Sequence, residues 1–233
     1  MNNNRFKDWA NDYQIFEDLI DKNDKEIQED VAKLVKNYLP NNESIIFDAG
    51  CGTGNTAISL MKFVPNLAII LNDLDPEMIK QSKENLKPIC NTCIFKEGDA
   101  ISVLQDENPF DVFVSVLIIH NIAKERRREL LELAFKKLKN GGLYINGDKM
   151  IDDKSPDKFT EKYNKRIEKL SVLKEIGRDD LFEKWTQHEK EDFENLQTIE
   201  EHIKVLKEVG FVDIKFEKQL GLYSIVTAKK PWY

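Results

Sequence analysis

The sequence predicts an open α/β fold, a mostly parallel sheet wound with helices on both faces. Short apolar runs recur around Ile45–Phe47, Leu67–Leu71 and Val112–Ile119, without the polar alternation of a half-exposed strand, as strands buried on both faces require. Helical periodicity fills most of the chain between them. The first run leads through Asp48 into a loop with glycine at 50, 52 and 54, then into a pattern with Ala57, Ile58, Leu60 and Met61 on a helical repeat. Strand, glycine loop and helix together open such a sheet, with a small-molecule site at the strand's carboxyl end.

The loop narrows the ligand. Glycines let a ligand lie directly on backbone N–H groups at a helix N-terminus. A dinucleotide fingerprint is G-x-G-x-x-G; here the spacing is G-x-G-x-G, with Asn55 where the third glycine would stand. Asp48 beside the loop would repel a pyrophosphate. It suits a ligand with an ammonium and a carboxylate on one carbon, such as S-adenosylmethionine.

D-A-G-C-G-T-G, Asp48 to Gly54, resembles the first motif of class I S-adenosylmethionine-dependent methyltransferases, and further segments match that family in order. The resemblance implies a Rossmann-like, doubly wound, mostly parallel seven-stranded sheet with a C-terminal antiparallel hairpin. It also implies cofactor contacts from Asp48, Gly50, Cys51 and Gly52.

Residues 1–40 read as two helices, with Phe6, Trp9, Ala10, Tyr13 and Phe16 on one stripe and Ile27, Val31, Leu34, Val35 and Tyr38 on another. FKDWANDY resembles the family's F-D-x-W-A-x-x-Y-D segment, which folds over the cofactor; Trp9 and Tyr13 would then face the ligand. A helix packed on the sheet edge is the alternative. The second strand, Leu67–Asp73, ends in an acid about 20 residues past the loop, where a ribose-binding carboxylate belongs. Asp75-Pro76-Glu77 has the form of a helix start, which leaves Asp73 for the ribose. N-D-L-D-P-E-M resembles the family's D-x-S-P-x-M segment and selects Asp73, with Leu74 beside it. A third strand, Cys93–Lys96, precedes Gly98-Asp99-Ala100, which resembles the family's adenine-binding turn; Asp99 also fits a helix N-cap.

The run from Val112 to Ile119 reads as the central strand, with Ser115 near its carboxyl end by the cofactor. F-D-x-x-x-S-x-L-x-x-H resembles the family's fourth motif and places His120 where the transferable methyl belongs, as a general base or as a residue that shapes the site. Lys124–Lys139 reads as a surface helix. Its Arg126-Arg127-Arg128 run is interleaved with glutamates, the pattern of a solvated, ion-paired face. Asn140-Gly141-Gly142 fits its C-cap, and Leu143–Asp148 is the fifth strand.

Residues 151–197 break the strand–helix rhythm with helical stretches on either side of Gly177. A lid over the mouth of the site fits this insertion; a homodimer through the same segment is the alternative. Thr198 and Glu201 form a capping box for the next helix, Gly210 ends it, and two alternating strands close the chain. The organisation expected over residues 1–233 is one methyltransferase domain: a helical segment (1–40), a cofactor-binding core (41–150), the lid (151–197), and a helix and hairpin completing the sheet (198–233).

With 233 residues and a net charge of −7, the chain is unlike a broad nucleic-acid-binding surface, which needs a basic face. Its first residues lack a signal-peptide core and no apolar run approaches a membrane span, which predicts a soluble, cytoplasmic protein. Cys90 and Cys93 form C-x-x-C with no second pair for a zinc site. They read as ordinary reduced cysteines opening a strand, their side chains on opposite faces. The expected cofactor is S-adenosyl-L-methionine and the expected partner a small-molecule methyl acceptor, with no metal. The alternatives are transfer-RNA wobble-uridine modification with carboxylated cofactor, which in that subgroup relies on an arginine late in the lid, and a non-catalytic cofactor-binding module. Residues 182–195 contain no arginine.

Overall fold

The computed structural model describes residues 22–39, 44–65 and 67–232. The proposed first helix, with Trp9 and Tyr13, lies outside them. The elements run α1 (Lys22–Tyr38), β1 (Ile45–Ala49), α2 (Asn55–Phe63), β2 (Ala68–Asp73), α3 (Pro76–Leu86), β3 (Cys93–Glu97), α4 (Ala100–Asp106), β4 (Phe110–Val116), a 3-10 turn (Ile119–Asn121), α5 (Lys124–Lys137) and β5 (Leu138–Ile151). Then follow α6 (Pro156–Leu170), α7 (Val172–Glu175), α8 (Asp179–Asn195), β6 (Gln197–Thr198), α9 (Ile199–Val209), β7 (Val212–Leu220) and β8 (Tyr223–Lys229).

Seven strands are ordered β3-β2-β1-β4-β5-β8-β7, and two-residue β6 pairs with the end of β5. The strands β1 to β5 are parallel, while β8 is antiparallel to both β5 and β7. The winding direction reverses between β1 and β4, so the crevice for a ligand opens at their carboxyl ends.

The unbroken apolar runs are explained by burial on both faces. Ile46, Ile69, Val112 and Ile145 face a core shared with Ile27 and Val31 of α1 and Ala57 and Leu60 of α2. Their chain neighbours Phe47, Ile70, Phe113 and Tyr144 face the opposite core, with Leu104 of α4, Leu130 and Leu131 of α5 and Leu206 of α9. Phe47, Phe113 and Tyr144 form a stacked row across three adjacent strands, with ring centroids 6.0 and 5.6 Å apart. Such pairs add about 0.5–1.5 kcal/mol each beyond the area they bury. Helices α6 to α8 have a small core of their own, Leu170, Leu173, Leu181 and Trp185. A separate cluster, Phe193 and Leu196 with Ile151, joins the end of α8 to β5.

Several local expectations are realised. Asp75 caps α3 by accepting from the Glu77 N–H, Thr198 and Glu201 form the capping box of α9, and Gly210 ends that helix at φ 112°. Three differ. Helix α5 ends at Lys137 with Leu138 extended, so Asn140-Gly141-Gly142 is a distortion inside β5 rather than a C-cap. Between Phe110↔Leu138 and Val112↔Leu143 the register slips, and a side chain at Gly142 would come within 2.8 Å of the Lys139 carbonyl. Second, Cys90 and Cys93 are joined in a disulfide. Strand alternation does not apply to the pair, because β3 begins only at Cys93 and Cys90 lies in the preceding loop. Third, Arg127 is buried, whereas Arg126 and Arg128 pair with carboxylates at the surface. Among the described residues no helix is long and apolar enough to cross a membrane.

Candidate active site

The glycine loop joins β1 to α2 through three residues in left-handed backbone, Gly50 at φ 67°, Gly52 at 53° and Gly54 at 91°. A Cβ on Gly50 would fall 2.2 Å from Ile118 Cδ1, so β1 and the segment after β4 meet only because no side chain intervenes. Nothing lies within 4 Å of the Cβ position of Gly52; that side of the loop is open. The Cys51 N–H donates to the Asn72 carbonyl (2.8 Å) and the Asn85 amide to the Thr53 carbonyl (3.0 Å). The Asp73 carboxylate accepts from the Gly52 N–H (2.8 Å) and the Asp75 N–H (2.9 Å). Two acids therefore stand at the loop. Asp48 is fully buried, and its Oδ2 has no hydrogen-bond partner. Burial, with repulsion from Asp73, pushes its pKa up to about 8. Burial raises Asp73 as well, against the N–H groups of Asp75 and Gly52.

Above the loop a cavity of about 920 Å³, its open mouth included, follows the carboxyl ends of the strands. It is lined by Gly50, Cys51, Gly52 and Asp73 together with His120, Lys149, Arg166, Trp185 and His188. Of the residues singled out from sequence, the loop, Asp73 and His120 are thus brought together. Asp48, buried beneath the loop, and Leu74, Asp99, Ala100 and Ser115 are not among the described lining residues. Asp99 caps α4 and forms a two-pronged pair with Arg126 (3.2 and 2.9 Å). Ser115 is buried and donates to Asn146 Oδ1 at 2.8 Å. Leu74 is exposed.

A buried ionic network backs His120 and Lys149. His120 Nδ1 meets Asp148 Oδ1, and its Nε2 stands 3.4 Å from Asp192 Oδ2. Lys149 Nζ donates to Asp192 (2.7 Å) and Glu189 (3.2 Å), Arg166 Nε donates to Glu189 (2.8 Å), and His188 Nε2 lies 3.3 Å from Asp192. Burial alone would depress His120; Asp148 and Asp192 outweigh it and raise its pKa to about 9. Burial would likewise raise Asp192, but Lys149 and the two histidines hold it well below the usual carboxylate range. With a carboxylate at each ring nitrogen, the protonated imidazole of His120 is the favoured form.

A family profile described as a methyltransferase domain matches residues 46–142, the segment from β1 into β5 that carries the loop, Asp73 and His120. The protein is an S-adenosylmethionine-dependent methyltransferase, with a methyltransferase domain over that segment. Its cofactor is S-adenosyl-L-methionine. Among curated relatives of this methyltransferase is a carboxy-S-adenosyl-L-methionine synthase from Nautilia profundicola, 25% identical, with 86% of this chain aligned to 84% of that protein. The fold is shared with an O-methyltransferase family protein from Burkholderia thailandensis (TM-score 0.68, 14% identity, 93% of this chain and 58% of that one). It is shared too with human N-acetylserotonin methyltransferase, solved in complex with its cofactor (TM-score 0.57, 19% identity, 86% of this chain and 51% of that one). The methyltransferase therefore spans between half and three-fifths of those two solved chains.

Sequence reasoning missed Lys149, Arg166, Trp185 and His188. Two signals pointed to three of them, and none to Arg166. Asp148 and Lys149 stand at the carboxyl end of the fifth strand, where open sheets place ligands. Trp185, His188, Glu189 and Asp192 lie at i, i+3, i+4 and i+7, one face of a helix.

Proposed function

We propose that this enzyme methylates a small molecule held in the cavity between the glycine loop and the α6–α8 helices. The observation that supports the reading is the cavity itself, whose lining combines the loop and Asp73 with His120, Lys149, Arg166 and Trp185. The loop passes a fit test for the cofactor: it offers open space over Gly52 and an orphaned carboxylate oxygen on Asp48. In this reading Asp48 takes the ammonium of the amino-acid end, the loop N–H groups take its carboxylate, and Asp73 accepts from the ribose hydroxyls. Bound there, S-adenosylmethionine supplies an electrophilic sulfonium methyl.

The rest is the protein's work. Lys149, Arg166, Trp185 and His188 wall the acceptor end, and α6–α8 act as the lid that excludes water. Alignment of nucleophile and methyl at about 3 Å, with desolvation, accounts for catalysis. The imidazolium of His120 fixes the shape of that end. Asp99 and Ala100 at the adenine, Leu74 beside the ribose, Ser115 by the cofactor and Tyr13 over the site remain part of the proposal.

A second reading draws on the relative that aligns almost end to end, a carboxy-S-adenosyl-L-methionine synthase. It also draws on Arg166, an arginine at the cavity from an earlier lid helix than the subgroup's own. One experiment separates the two. Incubation with cofactor and cell metabolites, followed by untargeted mass spectrometry, should yield a small molecule that has gained one CH₂, together with S-adenosylhomocysteine. A cofactor that itself gains a carboxylate would favour the second reading. Cofactor left unconsumed would favour a binding module.

A further inference from the structure

Arg127 is one of three consecutive arginines on α5, yet it alone is turned inward, 6% exposed. Among the described residues its charge meets no carboxylate in hydrogen-bond range. Nε donates to the Ile122 carbonyl (2.9 Å), while Nη2 donates to the carbonyls of His120 (3.0 Å) and Asn195 (2.8 Å). These acceptors belong to two separate segments. His120 and Ile122 are in the turn after β4, and Asn195 is the last residue of α8. Carbonyls at a helix's end lack partners within the helix and carry the negative end of its dipole. A planar guanidinium can serve several of them at fixed angles, which an ammonium cannot. Burial lowers the Arg127 pKa, but the group stays charged because its ordinary value is so high.

We infer that Arg127 is a positioning residue, clamping the His120 turn to the carboxyl end of α8 and so setting the contact between His120 and Asp192. The inference rests on the proposed function only for its consequence, the shape of the acceptor end. Asp192 lies three residues before Asn195, about one turn up the helix, and its carboxylate reaches both His120 (3.4 Å) and Lys149 (2.7 Å). The same helix carries Trp185 and His188 into the cavity. The clamp therefore fixes both partners of the His120–Asp192 pair through their backbones, without lining the cavity itself.

The test reads His120 directly. The chain has three histidines, so their ring proton resonances can be followed through a pH titration of the intact protein. The groups facing His120 are Asp148 from β5 and Asp192 from α8, with Lys149 and His188 sharing Asp192. In the wild type His120 should titrate near 9. Arg127→Met should release Asp192, and the loss of that opposite charge should lower the value by about 1–3 units, net of the rise caused by removing the Arg127 cation itself. Arg127→Lys keeps the charge, loses the fork and should shift His120 the same way by less. Arg128→Met, which removes only exposed pairs, should leave it unchanged. S-adenosylhomocysteine affinity should stay within about twofold in Arg127→Lys, because contacts made without Arg127 cost it nothing. A His120 titration unmoved in folded Arg127→Lys and Arg127→Met would overturn the clamp. Absence of S-adenosylhomocysteine binding in every variant, wild type included, would instead count against the proposed function and leave the titration to decide the clamp.

Discussion

Replacing Asp48 by asparagine should make the ligand-free protein more resistant to unfolding as pH rises. Asp48 is fully buried, and its pKa is raised to about 8 from an ordinary 3.8, first by burial and then by Asp73. The native state therefore binds this proton more tightly than the unfolded chain does. Where the native state binds more protons, stability falls as pH rises, here between about pH 4 and pH 8. One unit of pKa difference corresponds to about 1.4 kcal/mol, so the loss accumulated from pH 4 to pH 7 is roughly 4 kcal/mol. The substituted amide cannot ionise. Urea unfolding of wild type and Asp48→Asn at matched pH should show the variant's relative stability climbing by roughly 1 kcal/mol per unit from pH 5 to 7 and levelling above 8. A fixed offset from the amide's own hydrogen bonding would not change that slope. Parallel stability curves across pH 5–8 would refute the reasoning. The variant should also bind S-adenosylhomocysteine more weakly, the counterpart of a carboxylate kept for a ligand rather than for the fold.

Lys149→Met should cost about 3–5 kcal/mol, because it leaves Glu189 and Asp192 buried without their shared cation; at roughly 2–4 °C per kcal/mol for a chain this size, calorimetry should show a Tm lower by about 6–20 °C. The deficit should shrink toward acid pH, where the stranded carboxylates take up protons. Asp75→Ala removes the α3 cap and should lower stability by about 1 kcal/mol in urea unfolding, with S-adenosylhomocysteine affinity nearly kept. Gly50→Ala puts a side chain at φ 67° and 2.2 Å from Ile118; backbone strain of about 1–2 kcal/mol should appear as a modest Tm loss, with cofactor affinity falling by more than the Tm change suggests.

The sheet was legible because its physics is local. Alternate residues of Ile45–Phe47, Leu67–Leu71 and Val112–Val116 face two different cores, and no other arrangement explains such unbroken apolar runs. The glycine loop and Asp75 were legible for the same reason, since a left-handed turn and an N-cap each leave a residue signature. The far wall was legible only in part: the position of Lys149 and the shared face of Trp185, His188, Glu189 and Asp192 are visible in the sequence, but that β5 and the helices of residues 156–195 bring Lys149, Arg166, Glu189 and Asp192 together to neutralise one another is shown only by the fold. Arg127 is a partial case: it stands at i with Leu130, Leu131 and Ala134 at i+3, i+4 and i+7, on the buried stripe of α5, and only the carbonyl set that receives it depends on tertiary packing. His120 was placed by motif, but its chemistry depends on Asp148 and Asp192, 28 and 72 residues away. The Gly141-Gly142 distortion likewise depended on a strand partner that local pattern does not reveal.

The central claim is that the glycine loop, Asp48 and Asp73 form the seat of S-adenosylmethionine. Calorimetric titration of the wild-type protein with S-adenosylhomocysteine tests it most directly. The account predicts 1:1 binding at neutral pH, with proton release as Asp48 meets the ligand's ammonium. In Asp73→Ala the binding should weaken by about 1.5–3 kcal/mol for each ribose hydrogen bond lost to a charged group. Binding of NAD with S-adenosylhomocysteine ignored, or an Asp73→Ala protein that binds as tightly as the wild type, would contradict it.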